Sequence, residues 1–278
     1  MSQYLDQEHL NQMQNGMRVI TVASQKGGTG KTTTSSMISC WATAHGMKTL
    51  AIDLDPQGSL TCIMRGNADA PGSYELMKGM SAEQVIQSGS DLGEDMPDLV
   101  PASLSLASAD AEYSSKPGRD FLLKKAIDTL QDVYDLVVID TPPTLGTLLI
   151  NSLTAANEVL IPVQVDTFAL QSVYQLMETI SQVREYCNSS LTVSGVLLTR
   201  YNGWAILTRD LRESLAQVCA DLGVPMFNTA IREGIATKEA QTLRQSLFSY
   251  APTSKPAQDY AALMGELKIG RCYVGQAV

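Results

Sequence analysis

The chain has 278 residues, 44% of them hydrophobic and 18% charged: enough apolar material for a sizeable core and a composition that excludes wholesale disorder. Its net charge of -9 counts against nucleic-acid binding by the surface as a whole, while leaving room for a local basic patch. No apolar run approaches a membrane span, and five scattered cysteines without a CxxC pair, with only His9 and His45 as imidazole partners, exclude a disulfide framework or zinc site from the expected features.

Residues 1–17, MSQYLDQEHLNQMQNGM, are polar and acidic, with nothing like a secretion signal or transit peptide, so they read as an extension of a cytoplasmic protein. RVITVAS (18–24) then reads as a strand. It feeds SQKGGTGKTT (24–33), a glycine-rich loop with a helix opening at Lys31. Further strand candidates are KTLAIDLD (48–55), PDLVPAS (97–103), YDLVVIDT (134–141), EVLIPVQV (158–165) and LTVSGVLLT (191–199). Helix-compatible stretches cover 120–133, 169–187 and 207–222. Several strands are almost uniformly apolar, as expected where helices cover both faces, and the alternation predicts an α/β fold with a doubly wound, mostly parallel sheet. No low-complexity linker divides residues 18–268, which read as one domain followed by a short tail, 269–278. Residues 79–115 carry seven acids and no lysine or arginine, a pattern expected of a solvated, partly irregular face.

The loop departs from the strict phosphate-binding pattern GxxxxGK[ST], because Gln25 stands where its first glycine belongs. Gly27, Gly28, Thr29, Gly30, Lys31, Thr32 and Thr33 nonetheless sit between a strand and a helix. There, backbone N–H groups and the helix N-terminus can cradle phosphate oxygens. Lys31 reaches the outer phosphates, and the Thr32 hydroxyl can ligate Mg2+. Two further strands end in acids, where a doubly wound sheet presents its ligands. Asp140 is placed to hold Mg2+ through water, Asp53 lies near the same metal, and Asp55 is the candidate to orient or deprotonate an attacking water.

KGGTGKTT together with DLDPQGSLT, YDLVVIDTPPTLG and VLIPVQVDTFALQSV resembles the ParA/Soj family of DNA-partitioning ATPases, within the deviant Walker A group of P-loop NTPases that includes MinD. The resemblance runs from about Met17 to Leu267. It implies hydrolysis of ATP with Mg2+ by a homodimer that sandwiches two nucleotides. By this resemblance Lys26 is the signature lysine, crossing to the phosphates of the opposite subunit, with Gly27 allowing the partner's approach. It also implies sequence-indifferent DNA binding by the ATP-bound dimer, nucleoid association, and release when a ParB-like centromere-binding protein stimulates hydrolysis.

Between Val196 and Pro256 seven bases face five acids, a net +2, so the basic patch is modest. Arg209, Arg212, Arg232 and Arg244 are the candidates for DNA contact, since YNGWA places Trp204 where Soj-like chains carry an arginine. The extension is too short for an operator-binding helix-turn-helix domain, so operator binding is not expected of the chain itself. The alternative reading is a MinD-like positioning ATPase acting on a membrane or a protein assembly. That version would carry a basic amphipathic C-terminal helix, which LKIGRCYVGQAV does not form.

Overall fold

Seven segments form one parallel sheet: β1 (Arg18–Val22), β2 (Thr49–Asp53), β3 (Asp98–Val100), β4 (Leu136–Asp140), β5 (Glu158–Gln164), β6 (Thr192–Tyr201) and β7 (Met226–Arg232), in the spatial order β3-β2-β4-β1-β5-β6-β7. The computed structural model describes residues 16–113, 115–164, 166, 168–201 and 206–270, without the side chains of Asp110 and 206–209. Most of the polar extension, most of the tail, Trp204, Cys272 and the Arg209 side chain lie outside the described residues.

The principal helices are α1 (Lys31–Ala44), α2 (Ser59–Ile63), α3 (Leu122–Ile127), α4 (Thr147–Ala155), α5 (Ala169–Tyr186), α6 (Ile206–Asp221), α7 (Ile235–Thr242) and α8 (Lys255–Leu267). They cover both faces of the sheet, which explains the absence of alternation in the central strands. Val137 and Ile139 of β4 pack into the core that also holds Leu148 and Leu153 of α4 and Val173 and Leu176 of α5. Leu136 and Val138 of the same strand face the opposite core, with Met37 and Ile38 of α1 and Leu263 and Met264 of α8. Every residue of β2 and β4 is buried. Among the described residues, no helix is long and apolar enough to cross a membrane.

The winding fixes where chemistry can occur. From β1 the chain moves one way to β2 and β3, and after β4 it crosses to β5, β6 and β7 on the other side of β1. This reversal opens a crevice at the carboxyl ends of the central strands. There the register sets Val22 beside Asp140 and Asp53 beside Asp140, so the two acid-terminated strands deliver their carboxylates to neighbouring positions next to the loop leaving β1.

The structure adds one strand to those expected. MFNTAIR forms β7 at the sheet edge, where register shifts against β6 and the polar pair Asn228 and Thr229 erase the continuous apolar run that marks the interior strands. The helix expected over 120–133 is α3 flanked by tighter turns at Arg119–Phe121 and Asp128–Leu130. In the acidic stretch 79–115, short helical turns flank β3. Two of its acids are engaged: Asp98 accepts from Tyr134, and Glu112 pairs with Lys116 and Lys78.

Candidate nucleotide site

The loop after β1 is shaped by glycine. Gly28 and Gly30 hold φ values of 78° and 85°, a left-handed backbone that side chains with a Cβ rarely adopt. Gly30 caps α1 without a side-chain hydrogen bond, and no acid lies in the first turn, so the first N–H groups of the helix are available to an anion. Thr199, at the end of β6, fixes the loop from the far side. Its hydroxyl donates to the Thr29 carbonyl at 2.7 Å. Nothing in the spacing of the sequence ties Thr199 to the loop; only strand order brings them together.

Lys31 is 6% exposed, and its Nζ donates to the Lys26 carbonyl at 3.1 Å, five residues back along the loop. Burial lowers its pKa, against the opposing pull of Asp140 and Asp55. A buried ammonium at the mouth of an uncapped helix is matched to a polyanionic ligand. Lys26 is placed differently: its Nζ pairs with Asp166, and its side chain is 39% exposed. The two lysines therefore sit in different settings, one buried and one partly exposed in an ion pair.

Asp140 is fully buried; its Oδ1 accepts from Ser35 at 3.0 Å, while its Oδ2 is buried without a hydrogen-bond partner. Burial, followed by repulsion from Asp53, pushes the Asp140 carboxyl up, and burial does the same to Asp53. Against that push, the Thr32 and Ser35 side chains pull the pKa of the Asp140 carboxyl down. An orphaned carboxylate oxygen beside a threonine hydroxyl and a second acid is the chemistry of a hard divalent cation, so the donor set fits Mg2+. Asp53 is more fully engaged than expected. Its Oδ2 accepts from the N–H and hydroxyl of Thr61, both at 2.8 Å, and its Oδ1 accepts from the Asp55 N–H at 3.1 Å. The Thr61 hydroxyl in turn accepts from Ala102 N–H, which links this acid to the end of β3. Asp53 thus braces the segment carrying Asp55.

Asp55, Lys31, Thr32 and Thr33 line a cleft of about 440 Å³ together with Thr199, Arg232, Gln241 and Tyr260. Residues 17–193 match the family described as AAA domain. The chromosome-partitioning ATPase Soj of Thermus thermophilus is 35% identical over 253 residues, covering 90% of this chain and 95% of its own length. The Soj ATPase of Treponema pallidum is 32% identical over 250 residues, with 90% and 96% covered.

The chain belongs to the ParA/Soj family.

Among solved structures, the cobyrinic acid a,c-diamide synthase of Mycobacterium smegmatis with bound ATP analogue and magnesium is 33% identical, with a TM-score of 0.77, covering 92% of this chain and 97% of its own. In this ParA/Soj-family chain three of the four arginines singled out by the sequence have described side chains, and each has its own partners. Arg232 lines the nucleotide cleft and its Nη2 reaches Asp259 at 2.6 Å, so much of its charge is neutralised locally. Arg212, on α6, lies over the Tyr201 ring at 5.5 Å and donates to the Asn228 carbonyl. Arg244 follows α7 in a left-handed conformation, and its carbonyl accepts from Arg65 Nε at 2.9 Å.

Proposed function

We propose that this ParA/Soj-family ATPase partitions DNA, hydrolysing ATP to ADP and phosphate while cycling between a monomer and an ATP-sandwich homodimer. One observation carries the reading: the loop holds two lysines in separate settings, Lys31 buried at the helix mouth and Lys26 with a partly exposed side chain paired with Asp166. Lys31 serves the chain's own nucleotide. Lys26 crosses to the partner's phosphates, where a second cation stabilises charge developing during transfer, as an arginine finger does. Gly27 agrees with this role, since a Cβ there would meet nothing of its own chain within 4 Å. Glycine at that point leaves room for a partner.

Thr32, Asp140 and Asp53 are the groups that would hold Mg2+, which when bound would neutralise charge on the phosphate oxygens. Backbone N–H groups of the loop and of the first turn of α1 bind the phosphates, and Thr33 adds its hydroxyl. Asp55 lies at the rim of the cleft, held by its N–H to Asp53 and accepting from Gln57 N–H at 3.0 Å. It orients the attacking water, a task of positioning that needs no strong base.

Residues 18–268 act as a single ATPase domain. The ATP-bound dimer binds DNA without sequence preference through Arg212 and Arg244, with Arg209 and, to a smaller degree, the acid-paired Arg232. A ParB-like centromere-binding protein stimulates hydrolysis and releases the dimer from the nucleoid into the cytoplasm. A DNA titration with ATP, ADP and no nucleotide at two salt concentrations tests the whole reading. ATP-dependent binding that weakens steeply with salt is the expected result. Binding indifferent to nucleotide would sink it, as would nucleotide-dependent binding to liposomes in place of DNA.

A further inference from the structure

α7 lines the nucleotide cleft with Thr237, Lys238 and Gln241. It is a lightly packed helix: Ala240 is its buried residue, and Ile235 at its start is 76% exposed. From its inner side Gln241 reaches across to the first turn of α1, where Nε2 donates to the Thr33 hydroxyl at 2.8 Å. Both side chains line the cleft beside Gly30, Lys31 and Thr32.

A threonine hydroxyl has one proton to give and two lone pairs to receive. Further along α1, Ser39 and Thr43 spend that proton within the helix: Ser39 donates to the Ser35 carbonyl and Thr43 to that of Ser39, each four residues back. For Thr33 the corresponding carbonyl belongs to Thr29, and it already accepts from Thr199. The donation from Gln241 occupies a lone pair of Thr33 and leaves its proton to be given to another acceptor. A phosphate oxygen is the acceptor suited to it, because hydrogen bonds to charged acceptors are the strong ones.

We propose that Gln241 is a nucleotide-positioning residue supplied by the C-terminal half of the chain, which orients the Thr33 hydroxyl so that it donates to a phosphate of the bound nucleotide. The proposal rests on the nucleotide reading of the loop.

The test is calorimetric titration of Mg2+ and ADP into the full chain as wild type, Gln241→Ala, Gln241→Glu, Thr33→Val and the Gln241→Ala, Thr33→Val double variant. Gln241→Ala is expected to weaken ADP binding about threefold to tenfold, with the melting temperature of the nucleotide-free protein unchanged. Gln241→Glu weakens it further, because a carboxylate both captures the Thr33 proton and sets a negative charge beside the phosphates. The double variant binds as Thr33→Val does, since the effect of Gln241 passes through that hydroxyl. Wild-type affinity in Gln241→Ala, or losses that multiply in the double variant, overturn the proposal while leaving the nucleotide reading intact. A wild-type chain that binds neither ADP nor ATP overturns both.

Discussion

The Lys26 ammonium pairs with one oxygen of Asp166, while the other oxygen of that carboxylate accepts from the Phe168 N–H at 2.9 Å, just ahead of α5. The lysine assigned to a partner's phosphates is thus held by its own chain. Crossing to the partner gives up this ion pair. With side-chain exposures of 39% and 25%, such a pair is worth about 0.2–1 kcal/mol. Asp166→Asn removes that cost from dimerisation. Each dimer gives up two such pairs, so ATP-driven dimers should then form at up to about thirtyfold lower protein concentration, read by light scattering, and adding Lys26→Ala should cancel the gain. Equal or weaker dimerisation in Asp166→Asn would show that the pair takes no part in the cycle.

The separate placement of the two lysines predicts separable losses. Lys31→Ala removes the buried cation at the helix mouth and should abolish tight nucleotide binding. Lys26→Ala should leave monomer affinity near wild type and lower partner-stimulated turnover by about 10³-fold or more, the scale of a cation supplied in trans. A fluorescent ATP titration and a stimulated hydrolysis assay on both variants separate the effects. Stimulated turnover at the wild-type rate in Lys26→Ala would remove that lysine from the mechanism.

Asp55 lines the cleft that holds Lys31 and Thr32, and its N–H is anchored on Asp53. Asp55→Ala should therefore bind ATP and dimerise but fail to turn over, accumulating ATP-bound dimer in size-exclusion chromatography. A variant that hydrolyses ATP at the normal stimulated rate would eliminate Asp55 as the group that positions water.

Much of this site was legible in the residues because its parts are contiguous. SQKGGTGKTT, LAIDLD and LVVID each join a strand to a ligand-bearing turn, and six of the seven strands announce themselves by runs buried on both faces. What sequence reasoning missed depends on contacts between distant segments. Thr199 and Gln241 meet the loop across 170 and 208 residues, and an isolated threonine or glutamine has no periodic signature. Asp53 looked like a metal neighbour, but the brace it forms with Thr61 and the Asp55 N–H is visible only once the DPQG turn has folded back over the strand end. β7 was hidden for a different reason: an edge strand with irregular register is stabilised by its neighbour and by α8, so its own residues need not alternate.

Asp140 predicts two effects of opposite sign. Its unpartnered Oδ2 sits in full burial next to a second acid, a cost the folded chain bears when no cation is bound. Asp140→Asn removes the charge with little change of shape. The nucleotide-free protein should melt at the wild-type temperature or higher, while the gain in nucleotide affinity brought by Mg2+ falls by about tenfold or more, as when an outer-shell carboxylate is lost. Calorimetry with and without Mg2+ checks the second effect. An unchanged Mg2+ dependence would take Asp140 out of the metal site.

At the opposite end of the sheet, Glu158 predicts a pH dependence of stability. Its two oxygens accept from Arg18 Nε at 2.6 Å and Nη2 at 2.9 Å, Ser194 donates to it at 2.6 Å, and Arg18 Nη1 continues to the Leu267 carbonyl at 2.7 Å. This network ties the starts of β1 and β5 to the end of α8. Burial alone would raise the Glu158 carboxyl, but the hydrogen bonds and charge of Arg18, with Ser194, outweigh it and hold the carboxyl below its ordinary value. A depressed folded value means that the stabilisation is fully present above the unfolded glutamate pKa of about 4.3 and is lost as pH falls through the folded value. Glu158→Gln leaves Arg18 without its counter-charge and should cost about 3 kcal/mol at pH 7. The gap between wild type and variant should then close as denaturant titrations move below about pH 4. A gap that stays constant to pH 3 would show that the ion pair contributes no charge-dependent stability.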